Sequence, residues 1–296
     1  MSVANSRLGI AFIILGMALF TINDALGKWL VADYAVGQLI AIRSLVALIL
    51  LLPLLYRRPD IWRRRPAQPG MHLLRVVLVA AEVSCFYWAV RYLPLAETFM
   101  FYLAAPIFVT ALSVPLLGER VGFHRWSAIL VGFAGVVLIL GPGAAAFSWP
   151  ALIAIAGSMS LALMLILARK LGGSDGLTLI TYQTVGVAVA GGLTLPFVWV
   201  TPTVLDFSLL GLLGVVATAA HYCLNHAVRL SEPSLVAPFQ YTTIIWALIL
   251  GYLVWGDLPT LPAWIGSAIV ITSGLYIFVR ERSTKPSDSE KSGKSD

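Results

Sequence analysis

Apolar positions fall in ten nearly unbroken stretches, at 8–30, 35–56, 72–91, 94–117, 124–141, 148–169, 177–200, 206–229, 233–255 and 261–280. Each is close to the roughly 20 residues that a helix needs to cross the hydrocarbon layer. None shows the alternation of a barrel strand, whose outer face alone is apolar. The connections are short and carry Gly, Pro or charge, as at 57–70, 118–125 and 172–176. No aqueous domain fits between them. The pattern predicts an all-α integral membrane protein of ten transmembrane helices. The first stretch is followed by no small-residue cleavage signature and reads as a retained helix.

Composition supports this class. The chain of 296 residues is 59% apolar and 11% charged, and its mean hydropathy is +0.89. A soluble domain is nearer a quarter charged, so these charges could not cover a soluble core. Two cysteines provide neither a disulfide framework nor a zinc-ligand set. Of the 20 Lys and Arg, 16 fall on the N-terminal side if the loops alternate. Lys28 and Arg91 fall on the other side, and Arg43 and Arg75 lie within stretches. The positive-inside rule then places both termini in the cytoplasm. Topology therefore accounts for the net charge of +6 without a nucleic-acid partner. The tail 281–296 alternates Ser, Lys and Asp and is expected to be disordered.

The chain also repeats itself. A shift of 138 residues brings Ala89, Val90 and Arg91 onto Ala227, Val228 and Arg229, and Cys85 onto Cys223. The same shift brings Gly118 and Glu119 onto Gly256 and Asp257, and Trp126 onto Trp264. The halves are 1–145 and 146–280, with five stretches each. An odd number of spans forces the halves to insert in opposite directions. Inverted repeats are the architecture in which a central site opens to either side, which points to a secondary transporter.

The fourth stretch of each half ends on the motif that carries a family resemblance. In the first half it reads Pro115, Gly118, Glu119, then Trp126, Gly132 and Gly135. In the second it reads Trp255, Gly256, Asp257, then Trp264, Gly266 and Gly274. The chain resembles the EamA-type transporters of the drug/metabolite transporter superfamily, with Asp257 where that family usually has Glu. The segment Asn23-Asp24-Ala-Leu-Gly-Lys28-Trp-Leu is similar to bacterial riboflavin transporters of the superfamily. It is similar also to some amino-acid, amine and S-adenosylmethionine carriers. The resemblance implies a multi-pass protein of the bacterial inner membrane that moves a small organic metabolite. Riboflavin uptake is the narrow expectation and amino-acid or amine export the alternative. A lipid-carrier flippase or a non-transport membrane protein is the competing class.

Polar residues at membrane depth are costly and usually face a cavity or a partner. Asp24 and Arg43 lie about 9 and 12 Å inside the outer ends of their helices, at 1.5 Å per residue. The pair reads either as a fixed ionic strut or as a coupling site, with Asn23 beside it. Glu82 is near the middle of the third stretch, with Tyr87 and Trp88 close in sequence. The matching eighth stretch carries Gly214, Thr218, His221 and Asn225 on one helical stripe. The repeat sets Glu82 beside the position of His221. A histidine there serves either as a proton-sensitive group or as a core residue bonded to a backbone carbonyl. Tyr102, Gln240 and Tyr241 add hydrogen-bonding and ring-stacking candidates, while Glu97 reads as solvated. Arg75 and Lys28 are expected to snorkel to the interface. Ala128 with Gly132, and Ala263 with Ser267, are spaced for close packing within each half.

No phosphate-binding loop, zincin motif, nucleophile elbow or Cys-x-x-Cys occurs, so neither direct ATP drive, enzymatic activity, a cofactor nor a metal is expected. The expected partners are a small-molecule solute and the lipid bilayer; oligomeric state is left open.

Overall fold

A computed structural model describes residues 3–58, 68–118, 122–140, 148–171, 176–230 and 237–283. The helices are α1 (Val3–Leu30), α2 (Val36–Tyr56), α3 (Pro69–Tyr92), α4 (Leu95–Tyr102), α5 (Ala105–Leu117) and α6 (Phe123–Leu140). They continue with α7 (Trp149–Lys170), α8 (Gly176–Val198), α9 (Val204–Leu230), a 3-10 turn (Ala237–Tyr241), α10 (Thr242–Trp255) and α11 (Leu261–Ser283). The described residues contain no strand.

Seven helical segments are long and apolar enough to cross a membrane: Arg7–Leu30, Val36–Tyr56, Pro69–Tyr92, Leu95–Leu117, Trp149–Ala168, Leu177–Val198 and Val204–Ala227. The other three expected spans are represented by shorter apolar helices, Trp126–Ile139, Phe239–Trp255 and Leu261–Tyr276.

Two of the segments are interrupted. The fourth breaks at Leu103–Ala104, between α4 and α5. Pro106 follows, and having no N–H it leaves the Tyr102 carbonyl without a helical donor. The chain turns tightly instead, through Ala104 N–H to Phe101 O and Ile107 N–H to Ala104 O. The ninth passes from 3-10 to α after Tyr241, 138 residues beyond Leu103. The helix ends match as well. Gly118 closes α5 and Gly256 closes α10, at φ 70° and 71°. Only glycine adopts this left-handed cap without a Cβ penalty, which explains why the motif holds Gly at both places.

The helices pair across residue 145. Helix α1 packs on α9, α3 on α7, α2 on α8, α4 on α10 and α6 on α11. Exchanging the five segments before residue 145 with the five after it leaves this set of pairs unchanged. The α6–α11 contact is backbone-close: a Cβ on Gly266 would stand 2.5 Å from the Gly135 carbonyl oxygen. Ser273 Oγ donates to the Ala128 carbonyl across the same contact. Gly132 meets both Ile107 of α5 and Ser273 of α11. The small residues expected to pack within each half thus also hold the two halves together.

Candidate functional site

A cavity of about 1020 Å³ runs between α1, α2, α3, α8 and α9. It reaches the surface at Arg57, Arg58 and Arg229, all exposed. Residues 59–67, 172–175 and 231–236 lie outside the described residues. Its deep end is polar and holds Asn23, Asp24, Arg43, Glu82, Tyr87 and His221.

Tyr87 organises that deep end. It is 1% exposed, and its hydroxyl accepts from Arg43 Nη1 at 2.7 Å and from Asn23 Nδ2 at 3.1 Å. It donates to Asp24 Oδ1 at 3.5 Å. One donor and two acceptor sites are all that a phenol has, so the hydroxyl is saturated. Asn23 Nδ2 also donates to Asp24 Oδ1 at 3.2 Å. Asp24 and Arg43 are therefore joined through Tyr87, where the sequence suggested direct pairing. A carboxylate and a guanidinium sharing one neutral hydroxyl can be separated at lower cost than two charges in contact.

Glycines let these groups converge. A Cβ on Gly27 would fall 2.2 Å from the Tyr87 ring, so its absence lets Tyr87 lie against α1. A Cβ on Gly214 would fall 2.4 Å from the Arg43 carbonyl oxygen, so α9 closes on α2. The stripe Gly214, Thr218, His221 and Asn225 lines the cavity throughout. His221 also lies T-shaped on Phe20, and its Nδ1 is 2.8 Å from the Ala217 carbonyl oxygen. The backbone contact and the cavity-facing position, set out above as alternatives for this histidine, coexist. Tyr102 donates to the Glu82 backbone carbonyl at 3.1 Å and fits beside α7 because Gly157 has no side chain.

The opposite end is sealed. Lys28 Nζ reaches Asp257 Oδ2 at 3.2 Å and the Leu93 carbonyl at 3.1 Å, and sits 4.7 Å from the Trp255 ring centre. Gln38, fully buried, donates to the Val200 carbonyl at 2.6 Å and accepts from the Val200 N–H at 2.9 Å. Tyr34 donates to Asp206 Oδ2 at 2.8 Å, a bond that holds its phenol above the usual tyrosine range. These contacts tie the ends of α1, α2, α3, α8, α9 and α10 together.

Three candidates lie elsewhere. Trp88 is 42% exposed and packs on Trp149 with ring centres 6.3 Å apart. Gln240 is exposed in the 3-10 turn, and the Tyr241 hydroxyl packs at Gly274 of α11. None lines the cavity. For Trp88 the cause is helical phase: it lies about 100° round α3 from Tyr87, on the side that meets Trp149. The snorkelling expectation for Lys28 and Arg75 needs correction. Lys28 is clamped in the sealed end, and Arg75 is 8% exposed on the cavity wall. The cavity gives Arg75 a polar surface, and Lys28 finds its partners in Asp257 and the Leu93 carbonyl. The sequence reading also passed over Gln38, Ser44, Gln183 and Thr184. The run Thr181-Tyr-Gln-Thr184, polar inside an apolar helix, was the available signal for the last two.

The EamA-like transporter family matches residues 7–141 and again residues 148–279. The chain belongs to the EamA-like transporter family. It is a multi-pass membrane transporter and not an enzyme. A riboflavin transporter of Rhizobium johnstonii is 27% identical over 94% of this chain and 94% of its own length. An S-adenosylmethionine uptake transporter of Rickettsia bellii is 24% identical over 93% of this chain and 94% of its own. One crystal structure shares the fold at a TM-score of 0.60 and 17% identity, covering 96% of this chain and 99% of that one.

Proposed function

We propose that this EamA transporter is a secondary active carrier of a small organic metabolite in the bacterial inner membrane, working by alternating access. The observation that carries the reading is the asymmetry of the cavity. It runs from Arg57 and Arg229 to the Asp24–Tyr87–Arg43 cluster and stops at the Lys28–Asp257 seal. With all ten apolar segments crossing the bilayer as two inverted halves, the basic mouth is cytoplasmic and the conformation is open inward. Exchange of the two halves would open the Lys28 end and close the other. Asp24 and Glu82, both facing the cavity, are the carboxylates placed to couple transport to an ion or to meet a cationic group.

Riboflavin uptake is the narrow substrate reading. Phe20, Phe86, Tyr87 and Tyr102 line the cavity beside Asn23, Thr218 and Asn225, which suits a flat ring bearing hydroxyls. Amino-acid or amine transport is the second reading, favoured by the two carboxylates in the same wall. Counterflow in liposomes tests both. Purified protein preloaded with unlabelled riboflavin or S-adenosylmethionine should accumulate the labelled solute transiently and saturably. Absence of counterflow with flavins, amino acids and amines alike would remove the carrier reading and leave a lipid-carrier flippase or a non-transport role.

A further inference from the structure

Arg75 is a cavity cation for which the described residues supply no counter-charge. It lies on α3 seven residues before Glu82. Arg75, Val79, Glu82 and Phe86 follow one helical face, and all four line the cavity. The Arg75 side chain is 8% exposed. Its Nη1 reaches the Leu179 carbonyl at 3.4 Å and its Nη2 reaches Gln183 Oε1 at 3.3 Å, both neutral acceptors at long range. Its buried Nε has no acceptor among the described residues. The ion pair found among those residues, Lys28–Asp257, is at the sealed end. Arg43 differs, because Tyr87 links it to Asp24.

A buried charge left without a partner is unfavourable. A guanidinium presents a planar fork of donors that matches carboxylate or phosphate. Toward the mouth the cavity is lined by Arg57 and Arg229, so an anion entering there meets like-signed groups that favour it along the path. We propose that Arg75, with Gln183 beside it, is an anion subsite of the cavity. It takes a carboxylate or phosphate of the solute, while Glu82 about 10 Å deeper and the Tyr87 cluster about 18 Å deeper meet the remainder. The subsite deepens the carrier reading toward its amino-acid alternative, since riboflavin itself bears no carboxylate or phosphate, and rests on that reading for the claim that the bound anion is cargo.

The test uses two pairs of probes that differ in their anionic group. Riboflavin 5′-phosphate is compared with riboflavin, and S-adenosylmethionine with its carboxyl methyl ester, at fixed ionic strength on purified protein in nanodiscs. In at least one pair the anionic member should bind roughly tenfold more tightly, as a charge-assisted fork contact implies. The pair that responds tells phosphate from carboxylate. Arg75→Gln should bring that ratio to about one while the member lacking the anionic group keeps its affinity. Gln183→Glu supplies a carboxylate beside the guanidinium, so it should raise Tm without ligand and abolish the ratio; it also serves if Arg75→Gln folds poorly. Equal binding within both pairs, a ratio that survives Arg75→Gln or Gln183→Glu, or no binding by any probe would overturn the subsite. Counterflow separates the two readings. Arg75-dependent binding without saturable flux sinks the carrier and keeps the subsite. Flux indifferent to Arg75→Gln and to the anion does the reverse.

Discussion

The two ends of the cavity are built from the same kinds of helix end, yet they behave oppositely. At one end, Lys28, Asp257, Gln38, Val200, Tyr34 and Asp206 join six helix ends through polar contacts. At the other, the described residues give exposed Arg57, Arg58 and Arg229 around an opening. Sealing one end needs opposite charges and paired amides, whereas at an opening water and salt screen like charges from one another. Polar latches suit such a seal, since each contributes little alone and can be exchanged for water when the end opens.

The largest expected effect decides which side each end faces. A reporter fused after Ala67 should behave as cytoplasmic and one after Gly143 as periplasmic, an all-or-none readout. Finding both on one side would break the inverted arrangement, because three spans separate the two positions. Next in size is the layer between the ends. Asp24→Asn leaves the half-buried Arg43 without its opposite charge across Tyr87; both groups line the cavity, so the cost should fall below the roughly 3–5 kcal/mol of breaking a fully buried pair. Folded yield and Tm should fall, and Asp24→Asn with Arg43→Gln should recover much of the loss. If Asp24 couples transport instead, the single variant will fold normally and lose concentrative uptake.

Gly27→Ala tests the same layer from its packing. The new methyl meets the Tyr87 ring, and overpacking of this kind costs about 1–3 kcal/mol. Thermal unfolding measures it, and an unchanged Tm would mean that Tyr87 is not held against α1. The seal itself should respond less. Lys28→Gln removes a half-buried pair, so the balance between the two open states should move by no more than roughly tenfold, about 1.4 kcal/mol. The readout is labelling of Ser44→Cys by impermeant thiol reagents from each side, in a Cys85→Ser, Cys223→Ser background. External labelling should rise; equal labelling in both proteins would show that the pair does not hold that end. The smallest effect belongs to Trp88→Ala. Trp88 packs on Trp149 outside the cavity, so KM should stay unchanged while stability falls, with about 0.5–1.5 kcal/mol from the lost ring pair. A raised KM would return Trp88 to the site.

Parts of the site were legible before the fold, and their limits have physical causes. Asp24, Arg43 and Glu82 stood out because charge is rare at membrane depth. The stripe from Gly214 to Asn225 was readable from helical spacing. Trp88 and Tyr241 misled because an aromatic in a membrane helix packs as readily as it binds, and their chemistry does not say which way they point. Gln38 and Gln183 were missed because a single amide in an apolar run gives no sign of its partner until another helix arrives.

The sequence by itself determined the class, the apolar helical segments and the match of the chain to itself at 138 residues, and it put glycine at 118 and 256, where the structure shows left-handed caps. Each depends on neighbours along one chain: enough apolar residues in a row, a periodic charge bias, a glycine where φ must be positive. Only the tertiary structure decided that Tyr87 stands between Asp24 and Arg43, that small residues also join the halves at α6 and α11, and that Lys28 meets Asp257, 229 residues away. Those choices depend on which helices face each other and in what rotation. A repeat leaves several pairings open until the side chains of both partners are packed.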